Sequence, residues 1–207
     1  MELSQPLSTI TPTLDGHVLA VLARNDAPFT TGQLHQILPQ HSQEGIRKVL
    51  LRLTKQGIVH SVRVGNTFTY RFNRDHLAAE PIAELALLQE TFLQRLETLL
   101  KSWQVSPVYA AVFGSAARGS MTVNSDLDLL LIRPDDVSAD LWETQVNDLM
   151  GNVFRWLGND VRPLQFTVAE LATSKGNEPV LRSVLNEGLT VAGSRSWFAK
   201  QLRRKKN

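Results

Sequence analysis

The chain has 207 residues, 43% hydrophobic and 20% charged, enough for one large domain or two small ones with a real core. Cysteine is absent, which excludes disulfides, thiolate metal sites and a cysteine nucleophile and suits a reducing cytoplasm, the expected location. The net charge of +2 is unevenly spread: residues 1–75 sum to +3, residues 76–194 to −7 and residues 195–207 to +6.

These shifts divide the chain into a front module (1–75), a connector (76–104), a body (105–194) and a basic tail (195–207). No apolar run reaches the roughly 18 residues of a spanning helix, so no membrane partner is expected. The opening MELSQPLSTITPTL lacks the basic start and apolar stretch of a signal peptide.

In the front module, Leu14, Val18, Val21 and Leu22 recur at helical spacing. Thr30 and Gln33 form a capping-box pattern for a second helix, which Pro39 stops. Ile46, Val49, Leu50 and Leu53 make the apolar stripe of a third, with Gly57 as its cap. Gln43, Arg47, Lys48, Arg52 and Lys55 fall mostly outside that stripe. The period then changes to alternation in IVHSVRV and TFTYRF, joined by Gly65-Asn66, a two-residue hairpin signal.

Three short helices and a hairpin over residues 12–73 resemble a winged helix-turn-helix. The resemblance implies that the third helix enters the major groove of double-stranded DNA and that the hairpin is the wing. Gln43, Arg47, Lys48 and Arg52 would supply donors to phosphates and base edges, and Arg63 and Arg71 would reach phosphates beside the wing tip. A merely solvated basic face is the plainer reading of the same residues, and such domains also dock proteins.

The connector reads as one long helix with Pro81 in its first turn. Leu85, Leu88, Phe92, Leu96, Leu99 and Trp103 form its stripe. The stripe packs on the flanking domains or forms the seam of a homodimer.

The body predicts a strand (108–113), a turn (114–125), a strand (127–132), a helix from Ser138 to Leu157, a third strand in DVRPLQFTV and a late helix closed by Gly188. The fold class is α/β or α+β, a small mixed sheet with helices against it. Asp126 and Asp128 are two apart and share one strand face, about 7 Å apart along the backbone. Two such carboxylates repel and are costly to bury; a hard divalent cation relieves this, and Mg²⁺ suits carboxylates completed by phosphates and water. Gly114-Ser115 lies at the end of the preceding strand, where backbone amides can meet an anion.

Gly114-Ser115, ten residues, then Asp126-Leu127-Asp128 resembles the DNA polymerase beta-type nucleotidyltransferase superfamily, and Arg118, Gly119 and Ser125 strengthen the match to its minimal members. The resemblance covers residues 105–193. It implies a nucleoside triphosphate bound with Mg²⁺ or Mn²⁺, in-line attack of an acceptor hydroxyl on the α-phosphorus, and transfer of a nucleoside monophosphate with loss of pyrophosphate. Asp126 and Asp128 would be metal ligands and catalytic. Gly114, Ser115, Arg118 and Ser125 would bind the nucleotide. The family also supplies a third carboxylate from a later strand; the best-matching position here is Gln165, between Leu164 and Phe166. A glutamine there cannot serve as a carboxylate base or neutralise a second Mg²⁺, which leaves the reading of a single metal with bound nucleotide. Asp160 lies on the other pleat face from Gln165.

Minimal members of this superfamily act as antitoxins that nucleotidylate a partner toxin, and others modify antibiotics. A DNA-binding transferase acting on a protein or small-molecule acceptor, a transcription regulator that senses nucleotide without turnover, and a docking protein are the readings the resemblance allows. The five histidines, His17, His35, His41, His60 and His76, show no metal spacing. The tail, with Trp197, Phe198 and six basic residues, reads as a nucleic-acid contact or a disordered solubilising segment.

Overall fold

The computed structural model describes residues 1–174 and 178–203. The chain forms two compact units, Gln5–Gln89 and a second built from Met1–Ser4 with Glu90–Asn207.

The Gln5–Gln89 unit holds α1 (Leu14–Ala23), β1 (Phe29–Thr30), α2 (Thr31–Ile37), α3 (Gln43–Lys55), β2 (Val59–Val64), β3 (Thr67–Phe72) and α4 (Ala79–Ala86). The predicted capping box is present: the Thr30 hydroxyl accepts from the Gln33 amide at 3.2 Å, and the Gln33 side chain accepts from the Thr30 amide at 2.8 Å. Such a cap contributes about 1 kcal/mol. The predicted stripe of α3 is buried throughout, with Ile46, Val49, Leu50 and Leu53 in a core shared with Val18, Leu22 and Leu34. β2 and β3 pair antiparallel across Gly65-Asn66, with Val64 opposite Thr67; Gly65 takes φ +60°, which that two-residue turn requires. β1 adds to β3, giving the order β1-β3-β2.

The expected single connector helix is two. α4 ends at Ala86 and α5 spans Leu88–Lys101, with Leu87 bent out of helical geometry between them (ψ +12°). Ala79 and Ala86 are buried in the first unit's core; Phe92, Leu96 and Leu100 are buried in the second's, with Leu99 and Trp103 packed beside them. Each half of the stripe therefore serves a core of its own chain. Leu3 joins the second unit's core.

In that unit, β4 (Tyr109–Phe113), α6 (Gly114–Ala117), β5 (Leu127–Arg133), α7 (Ala139–Leu157), β6 (Val161–Thr167), α8 (Val168–Thr173), α9 (Pro179–Glu187), β7 (Leu189–Ala192) and α10 (Arg195–Arg203) follow in order. The sheet order is β6-β5-β4-β7; β5 and β6 run parallel and the other pairs antiparallel, so the sheet is small and mixed.

Both faces of this sheet are covered. Leu127, Leu129, Leu131, Val112 and Val161 pack with α5 and α7. Leu130, Ile132, Tyr109 and Ala111 pack on the opposite face with residues of α8, α9 and α10. A continuous apolar run such as Leu127–Ile132, interrupted only by Asp128, is what a strand buried on both faces requires. The reading of the tail as a disordered segment needs correction for Arg195–Arg203. Phe198 of α10 is fully buried and stacks on Tyr109 with ring centroids 4.5 Å apart and planes 5° apart, so Arg195–Arg203 is a core-packed helix; residues 204–207 lie outside the described residues.

Candidate functional site

The site is built at the mouth of β4 and β5. Phe113 pairs with Asp128 in the antiparallel ladder, so the residue after Phe113 arrives beside the Asp128 carboxylate. That residue is Gly114, at φ +67°. A Cβ at this position would lie 2.1 Å from Asp128 Oδ2. Glycine is needed here both for the left-handed backbone and for the close approach. Ser115 is half-buried in the short α6, and its carbonyl accepts from the Ser120 amide at 2.9 Å, which closes the loop on itself.

The loop between α6 and β5 is held by side chains. The Ser125 hydroxyl accepts from the Thr122 amide and hydrogen-bonds the Thr122 hydroxyl, both at 3.0 Å, so Ser125 shapes the turn ahead of Asp126. Asn159, almost fully buried, donates its amide to the carbonyls of Val123 and Ser125 at 3.2 and 2.9 Å. It clamps the approach to the aspartates from the far end of α7, a role with no local signal in the sequence.

Pleat parity decides what faces the carboxylates. Asp128 shares a face with Leu130 and Ile132, and Asp126 lies just ahead of β5, close enough to act on the Asp128 carboxyl. The parallel register sets Asp128 opposite Arg162 and Leu131 opposite Gln165. The Arg162 guanidinium lies 2.6 Å from the Asp126 carboxylate. Gln165 projects to the other face, where its oxygen accepts from the Trp142 indole N–H at 2.5 Å. The assignment of Gln165 to a catalytic role is thereby corrected: it is separated from the aspartates by the sheet itself. The β6 residue brought to them is Arg162, three positions earlier. Asp160, just ahead of β6, is exposed; its carbonyl accepts from the Leu127 amide at 2.8 Å.

Burial raises the Asp128 carboxyl above the usual aspartate range, and the neighbouring Asp126 adds to this, while Arg162 and Arg118 oppose it. Arg118 does not reach toward the aspartates as a side-chain partner; its guanidinium bonds Glu187 at 2.8 Å. Glu187 also accepts from Ser183 at 2.5 Å, and these bonds, Ser183 foremost, hold its carboxyl below the usual range. Among the described residues no three His, Asp or Glu side chains converge as a metal group. Asp126 and Asp128 form a pair that could hold one Mg²⁺ completed by phosphate oxygens and water.

In the first unit, Gln43, Arg47, Lys48, Arg52, Arg63 and Arg71 are all exposed. Arg47 is bidentate with Glu44 at 2.7 Å, Arg52 pairs with Asp15, and Arg63 folds onto the Gly65 carbonyl at 3.2 Å. His17 and His41 come together, Nδ1 to Nε2 at 2.6 Å, with Ser8 on the other His17 nitrogen at 3.1 Å. No helix among the described residues is long and apolar enough to cross a membrane.

No curated protein matches the chain. Among solved structures, a toxin–antitoxin crystallised with AMP-PNP is 19% identical, covering 53% of this chain and 80% of its own, with a TM-score of 0.39. A mutant of the toxin–antitoxin MntA–HpeT is 16% identical over the same shares, with a TM-score of 0.38. The segment that carries Gly114, Ser115, Asp126, Asp128 and Arg162 is the one that matches a known family: residues 90–171 fit the nucleotidyltransferase domain.

Proposed function

We propose that the second unit binds a nucleoside triphosphate with one Mg²⁺ at Asp126 and Asp128 and transfers its nucleoside monophosphate to a hydroxyl of a protein or small-molecule acceptor. The observation that carries this reading is the juxtaposition of two neighbouring carboxylates at the start of β5 with a glycine whose missing Cβ leaves room at Asp128. The metal, when bound, supplies positive charge to the phosphates. Gly114 and Ser115 offer backbone to the phosphate tail. The acceptor oxygen bonds the α-phosphorus as the bond to the bridging oxygen breaks and pyrophosphate leaves. Asp128, whose carboxyl burial raises above the usual aspartate range, is the group that would take the hydroxyl proton.

The first unit, on this proposal, is a winged-helix DNA-binding module. α3 offers Gln43, Arg47 and Lys48 outward, with Arg52 paired to Asp15, and the β2–β3 hairpin carries Arg63 and Arg71. A cytoplasmic site of action and a toxin-like protein acceptor belong to the same proposal.

A second reading is favoured by one observation, the guanidinium on Asp126. A cation where the resemblance calls for an acid suits a nucleotide-sensing transcription regulator with little or no turnover. Incubating the protein and a cell lysate with α-labelled ATP, CTP, GTP and UTP in Mg²⁺ or Mn²⁺ separates the two. Label on a specific acceptor, lost in the Asp126→Ala/Asp128→Ala double variant, supports the transferase. Nucleotide uptake by calorimetry without label transfer supports the sensor, and absence of both removes the nucleotide reading.

A further inference from the structure

Asp126, just ahead of β5, and Asp128, inside it, carry two neighbouring negative charges, and the Arg162 guanidinium is bonded to Asp126 at 2.6 Å. The strand register holds Arg162 opposite Asp128, on the same pleat face, so its position is set by the sheet rather than by a chance surface pairing. The neighbouring cation, Arg118, is engaged by Glu187. A guanidinium stays charged at any physiological pH, and its planar fork fits a carboxylate or a phosphate equally well. The Arg162 side chain is 74% exposed, so it can turn from Asp126 to a phosphate oxygen without disturbing β6, and the exposed pair it leaves is weak.

We propose that Arg162 is the resident second cation of this site. The two aspartates and Arg162 together leave a single negative charge. One divalent cation already turns the charge of that cluster positive, so the protein groups themselves offer nothing to draw in a second. Arg162 supplies in the protein the charge that a second metal ion would bring, and it presents that charge to the phosphates of the nucleotide. This rests on the nucleotide-binding reading above and specifies its metal stoichiometry.

Electron paramagnetic resonance of Mn²⁺ bound to the full chain tests it, with and without a non-hydrolysable ATP analogue, in the wild type, Arg162→Gln and Arg162→Asp. One Mn²⁺ per ternary complex is expected in the wild type and two in Arg162→Asp. Without nucleotide, Arg162→Gln should bind Mn²⁺ up to about fivefold more tightly, the upper range for losing one exposed charge interaction, while its affinity for the analogue falls. Near-ultraviolet circular dichroism confirms that the variants keep their fold. Two Mn²⁺ in the wild-type complex, or Mn²⁺ affinity without nucleotide unmoved by Arg162→Gln, overturns the proposal. Failure of every chain to take up the analogue defeats the nucleotide reading separately, and the nucleotide-free titration still decides the role of Arg162.

Discussion

Asp128 and Gly114 occupy space that only their particular pairing allows: the carboxylate fills the volume a Cβ at Gly114 would take, 2.1 Å from Oδ2. Gly114→Ala should therefore push the carboxylate aside and place alanine at φ +67°. The backbone term alone costs about 1–2 kcal/mol. Calorimetric uptake of Mg²⁺–ATP should be lost, and denaturant melts should show the destabilisation. A Gly114→Ala protein that binds and melts as the wild type does would refute the close approach as the basis of the site.

Asp128 is held against its own burial. Its folded carboxyl titrates above its unfolded value, so its neutral form contributes stability at low pH that is lost as pH rises through the folded value. At pH 7 the charged group opposes folding. Asp128→Asn should raise the melting temperature of the second unit slightly while abolishing Mg²⁺-dependent nucleotide uptake. A lower melting temperature would mean that the charge is stabilising.

Acidification should uncouple binding from folding. Asp128 takes up its proton above the ordinary aspartate value of about 3.9. The Glu187 carboxyl, held low by Ser183 and Arg118, contributes stability that is present above its unfolded value and is lost only as pH falls through its folded one. Metal-assisted nucleotide binding should thus fail on acidification before near-ultraviolet circular dichroism reports loss of packing. Coincident midpoints would contradict this order.

Gln165 is bonded to Trp142 on the helix-covered face. Gln165→Glu is expected to leave metal stoichiometry and any label transfer unchanged, because the new carboxylate faces α7. It should lower stability instead, since Glu143 lies 3.5 Å from the Gln165 amide nitrogen and would face a like charge. A gain in transfer would show that the strand register differs in solution.

On the first unit, Lys48→Ala and Arg71→Ala should each weaken DNA binding alike across sequences and reduce the salt slope by about one. Arg52→Ala should act chiefly on stability, since Arg52 pairs with Asp15. Mobility shifts at rising salt check both, and affinity indifferent to salt would remove the DNA proposal.

Phe198→Ala should destabilise the second unit by about 3–5 kcal/mol through the cavity left against Tyr109. An unchanged melt would mean that α10 is dispensable.

Much of this protein was legible in one dimension because local physics dictated it. The 3.6-residue stripe of α3, the capping box at Thr30, the two-residue turn at Gly65-Asn66 and the apolar runs of β4 and β5 depend on neighbours along the chain. So does the closeness of Asp126, just ahead of β5, to Asp128 inside it, two residues on. Tertiary structure decided the rest. β7, four residues long, exists because it pairs with β4, and Phe198 is core because Tyr109 lies beneath it. Leu87 interrupts the connector with no proline or glycine to announce it, and the apolar residues on either side of it serve separate cores. Above all, which β6 residue meets the aspartates depends on the register between strands more than thirty residues apart. That register is set by packing on both faces of the sheet, and it delivers the charge of Arg162 where composition and motif pointed to Gln165.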